Sequence, residues 1–114
     1  MKILAALAVA VAAFALPATA QTSDPKLDFL GLCIAQGSSS SYCACIADTL
    51  APALPGKDFI VYNDYLTLVA KGEQDPAALI DALTTKHGIS KKDLARILTA
   101  ANAVVGNPET CAGL

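Results

Sequence analysis

Four cysteines, Cys33, Cys43, Cys45 and Cys111, and a single histidine, His87, are the side chains of this 114-residue sequence best equipped for chemistry. Oxidised cysteines cross-link; reduced ones bind copper or zinc, or exchange disulfides. Spacing discriminates between these uses. Zinc sites recruit further Cys or His at short separation, and thiol exchange and haem attachment use C-x-x-C motifs. Here the two close cysteines are separated by one residue, Cys43-Ala44-Cys45. An even count in a short chain reads instead as two structural disulfides, with no cofactor implied; a metal or thiol-redox protein is the lesser alternative.

Four cysteines allow three pairings. Joining Cys43 to Cys45 is the poorest, because residues two apart on a helix point about 200° from each other around the axis. Those two therefore serve opposite sides, one reaching Cys33 and the other Cys111. Side chains tilt toward the N-terminus of their helix, which favours Cys33 with Cys45 and Cys43 with Cys111 over the swapped arrangement. Loops of this size stabilise by about 3 and about 4 kcal/mol on the chain-entropy account.

His87 stands before Gly88 at the expected end of a helix, where its ring would cap free carbonyls at the negative end of the dipole. No G-x-S-x-G turn accompanies it, and every Asp and Glu falls at a cap, a turn or a polar face, so no hydrolytic or glycosidic constellation is assembled. No catalytic residue is expected. The stretch from Lys86 to Leu98 resembles the helix-turn-helix of bacterial repressors, with a glycine turn and a serine cap before a basic helix. The same letters describe any well-capped helical hairpin.

The elements that position these residues are five short helical segments with no strand pattern, an all-α bundle. Asp24-Pro25 caps the first, which runs past Leu27, Leu30 and Ile34 to Gly37. Ser38 to Ser41 provide a linker and N-cap for the second, which carries Tyr42, Ile46 and Leu50 and is expected to stop at Pro52. Asp75-Pro76 opens the fourth and Gly88 closes it. Ser90 and Asp93 form an acidic variant of the capping box for the fifth, with Ile89 and Leu94 placed as a hydrophobic staple, and its apolar face continues to Gly106. The last two segments should make an antiparallel hairpin.

The third segment, Lys57 to Lys71, is different. Its apolar residues fill an arc of roughly 200°, wider than the ~100° that one packed face needs. One reading makes it the central helix of the bundle. The other takes Val61, Tyr65 and Leu68, with Tyr62 alongside, as a stripe that contacts a partner or an apolar ligand, since tyrosine suits a half-wet position.

Residues 1–20 read as a cleaved signal peptide: Lys2, an apolar run from Ile3 to Leu16, and Pro17-Ala18-Thr19-Ala20 before the cut. Residues 21–114 then form one domain of 94 residues, in the periplasm or outside the cell. That domain carries seven basic and ten acidic residues, a net charge of −3 that disfavours nucleic acid, and it has no apolar run of ~20 residues to span a membrane. Lys91, Lys92 and Arg96 nevertheless gather into a small basic corner.

These features point to a non-enzymatic accessory of the inhibitor, immunity or chaperone kind that touches another envelope or extracellular protein. The candidate contact residues are Val61, Tyr62, Tyr65, Leu68, Lys91, Lys92 and Arg96. The alternative is a carrier holding a small apolar or lipid ligand between helices. Saposin-like and plant lipid-transfer families share that architecture, although their cysteine patterns differ from this one.

Overall fold

A computed structural model describes residues 24–114; the expected signal peptide lies outside the described residues. Among them are five helices and no strand: α1 (Pro25–Ala35), α2 (Ser40–Ala53), α3 (Asp58–Ala70), α4 (Pro76–His87) and α5 (Lys91–Val105). The caps fall where the letters put them. Asp24, Ser39, Asp75 and Ser90 each accept a backbone N–H of the first turn, at 2.9, 3.2, 3.1 and 3.0 Å. Gly88 closes α4 at φ 61°, a left-handed conformation that a β-carbon disfavours. Of the two residues placed as a staple, Leu94 is buried and Ile89 packs on the core.

Pro52 does not stop α2, which continues to Ala53. A proline near the last turn removes one N–H, and the carbonyl that loses it belongs to Asp48, an exposed residue that water can serve. The Leu54 N–H still reaches the Leu50 carbonyl at 2.8 Å, and both leucines are buried. Their burial holds the final turn together.

The core combines Phe29 from α1, Ile46, Ala47 and Leu50 from α2, Phe59, Val61 and Tyr62 from α3, Leu83 from α4, and Leu94, Ile97 and Ala101 from α5. Helix α3 packs against α1, α4 and α5. Its wide apolar arc is therefore used as the centre of the bundle: Val61 is fully buried and Tyr62 nearly so. The stripe expected from Val61, Tyr62, Tyr65 and Leu68 is not an open surface, because half of it is core.

Two disulfides cross-link the fold, Cys33 to Cys43 and Cys45 to Cys111. Cys43 and Cys45 do serve opposite sides, but the favoured pairing of Cys33 with Cys45 and Cys43 with Cys111 is reversed. Axial level decides it. Cys33 lies two residues before the end of α1, Cys43 three after the start of α2 and Cys45 five after it. At ~1.5 Å per residue, the first pair is mismatched by about 1.5 Å and the rejected pair by about 4.5 Å, more than side-chain tilt recovers. The Cα atoms of Cys33 and Cys43 are 5.8 Å apart, within the ordinary range for a bridge. Cys45 then faces the tail, where Cys111 is held at φ 58°, a strained conformation for a residue with a β-carbon.

Candidate functional site

A pocket of about 500 Å³ lies among α1, α2, α3 and α5. Helix α1 contributes Phe29, Leu32 and Cys33, with its C-cap Gln36; α2 contributes Tyr42 and Ile46; α3 contributes Tyr62, Leu66, Val69 and Ala70. Val105 of α5 and Ser38 of the α1–α2 connection complete the lining. The arrangement follows from local sequence. Gly37, at φ 98°, turns the chain between α1 and α2, and the bond from Cys33 to Cys43 fixes the two helices beside each other. Their apolar side chains near that turn then meet the second half of α3.

A smaller cavity of about 310 Å³ lies beside it, lined by Tyr62, Tyr65, Leu98, Asn102 and Val105. Tyr62 and Val105 belong to both linings. Burial pushes the Tyr62 phenol up from its ordinary value, and the neighbouring Tyr65 adds to the shift. Nothing in either lining is a charged side chain, so the chemistry on offer is shape, apolar contact and neutral hydrogen bonding.

The sequence-derived contact residues scatter. Val61 is core, Tyr62 walls both cavities, Tyr65 lines the smaller one, and Leu68 is half-buried against the core. Lys91 and Lys92 are exposed in the first turn of α5. Arg96 is partly neutralised, donating to Asp58 Oδ2 at 3.0 Å and lying 3.8 Å from Asp93. Phe29, Leu32, Tyr42, Leu66 and Val69 were not singled out for binding in the sequence, because each also fits an ordinary core position. Their only common signal was closeness to Cys33 and Cys43 or to the end of α3.

His87 does not cap its own helix. Its Nε2 lies 2.7 Å from Asp64 Oδ2 on α3, which also accepts from Lys86 Nζ at 2.9 Å. The His87 carbonyl accepts from Lys57 Nζ at 2.9 Å. Burial pushes the Asp64 carboxyl up, but hydrogen bonds and charge from Lys86 and His87 outweigh it and hold it below the usual carboxylate range. The cluster clamps the end of α4 to α3 and has no nucleophile in it. Among the described residues, no group of three His, Cys, Asp or Glu side chains is arranged to hold a metal, and no helix is long and apolar enough to cross a membrane.

No protein-family model matches the chain, and no curated protein or solved structure shows significant similarity to it.

Proposed function

We propose that this protein is an exported, non-enzymatic carrier of a small apolar ligand, acting in the periplasm or outside the cell. The observation that carries the reading is the pocket of about 500 Å³ walled by apolar side chains of four helices. Its size falls in the range of ordinary small-molecule sites, ~300–1,000 Å³. Three supports stand beside it. Two disulfides suit an oxidising compartment. The cross-link between α1 and α2 keeps the walls in place when the pocket is empty, which lowers the ordering cost of binding. The electrostatic cluster at Asp64 knits helices together and offers no reacting group.

Ligand mass retained by protein purified from its native host, and seen by native mass spectrometry, tests the reading. The expected result is a bound species that disappears in a Leu66→Trp variant, whose indole occupies the pocket. Ligand-free protein that also fails to bind the neutral fluorescent probe N-phenyl-1-naphthylamine would sink it.

A second reading, an accessory that works by protein contact, is favoured by one observation. Leu27 and Ile34 are 64 % and 44 % exposed, seven residues apart on α1 and hence on one face. Recovery of one specific envelope partner, lost with Leu27→Asp and retained with Leu66→Trp, would support that reading over the carrier.

A further inference from the structure

The polar groups around the pocket say what kind of apolar molecule it takes. Its non-hydrocarbon lining comes from Gln36, Ser38, the Cys33 sulfur and the tyrosines 42 and 62, with no Lys, Arg, His, Asp or Glu among them. A carboxylate buried there would lose its water without gaining a cation. Helix ends do not repair this. The C-terminus of α1 and the N-terminus of α2 are separated by four residues beside the pocket, so the negative end of one dipole stands next to the positive end of the other. Their fields largely cancel.

A hydrogen-bonding position does exist. Tyr62 is 6 % exposed and lines both cavities; no hydrogen bond of its hydroxyl is seen among the described residues, and the buried side-chain polar atom left without a partner there is Asn63 Oδ1, so the Tyr62 hydroxyl is open to the cavity rather than sealed in the core. A hydroxyl open to a cavity can exchange the water that serves it for the polar group of a ligand. Lys71, the nearest cation along the chain, follows Ala70 but is exposed and is not part of the lining.

We infer that the pocket selects an uncharged, mainly aliphatic molecule bearing a carbonyl or hydroxyl, which meets the Tyr62 hydroxyl, and rejects the corresponding fatty-acid anion. The inference rests on the carrier reading and narrows its ligand.

The test is competition against N-phenyl-1-naphthylamine on the full disulfide-bonded protein at pH ~8, well above the ordinary carboxyl range of ~4. The competitors are dodecanone, dodecanol, dodecane and dodecanoate, each kept below its aggregation threshold. Dodecanone and dodecanol should displace the probe at concentrations at least about tenfold below dodecanoate, as one uncompensated charge costs more than the 1.4 kcal/mol that separates a decade. Tyr62→Phe, which keeps the ring, should weaken dodecanone about two- to tenfold while leaving dodecane unchanged. Equal competition by dodecanoate overturns the inference and leaves the carrier reading intact. If that competition also disappears with Lys71→Ala, the pocket is an anion carrier with its cation at the mouth. Absence of probe binding overturns both.

Discussion

Tyr62 stacks on Tyr65 across α3, with ring centroids 6.1 Å apart and planes 18° from parallel. The inner ring separates the larger pocket from the smaller cavity, and the outer ring braces it. An aromatic pair of this kind contributes about 0.5–1.5 kcal/mol beyond its buried area. The wall that gives the pocket its shape is thus held by a local contact within one helix, and the pocket can keep its form without a ligand.

Filling the pocket should separate binding from folding. Leu66→Trp places a larger ring where Leu66 of α3 faces α1 and α2. Naphthylamine fluorescence enhancement should be lost while far-ultraviolet circular dichroism stays that of a helical protein. A variant that still binds the probe with wild-type affinity would place the site elsewhere.

The two disulfides should contribute unequally. Cys45–Cys111 closes a separation of 66 residues and Cys33–Cys43 one of 10. On loop entropy, the paired alanine replacements should cost about 4 and about 3 kcal/mol respectively, read from urea unfolding midpoints and slopes. Removing the shorter link should also weaken probe binding, because Cys33 is part of the pocket wall. An unchanged probe affinity in Cys33→Ala/Cys43→Ala would show that the link does not shape the site.

Acid should loosen the joint between α3 and α4. Although burial pushes it up, the Asp64 carboxyl is held below its ordinary value of 3.8 by Lys86 and His87, so its contribution to stability is present above about pH 4 and is lost as pH falls through the lowered folded-state value. Asp64→Asn should destabilise the protein at neutral pH by about 1 kcal/mol and flatten the stability loss below about pH 4. Urea titrations at neutral and acid pH check this; parallel wild-type and variant curves across that range would refute it.

Gly88→Ala should destabilise by about 1 kcal/mol, because φ is 61° there and a β-carbon is strained in that conformation. Added atoms would meet no neighbour within 4 Å, so the loss is conformational and binding should survive. Gly31, inside α1 and also free of neighbours, is the control: alanine there should stabilise slightly. Thermal midpoints moving in opposite directions are the expected pair of results.

Much of this architecture was legible because its signals are local. Asp24, Asp75 and Ser90 each satisfy a backbone donor within a few residues, so composition and spacing were enough to place the starts of α1, α4 and α5, although Asp93 faces Arg96 instead of closing the second half of the capping box. The opposed directions of Cys43 and Cys45 follow from helix geometry alone, as does the broad apolar face that makes α3 central. What needed the tertiary structure involved matching between elements. Axial level at the α1–α2 turn chose the disulfide partners, burial of Leu50 and Leu54 carried α2 past Pro52, and Asp64, 23 residues away, drew the His87 ring off its own helix end. The pocket belongs to the same class. Leu32, Tyr42 and Leu66 have the pattern of core residues, and periodicity records which side of a helix is apolar without recording whether the facing helices close over it.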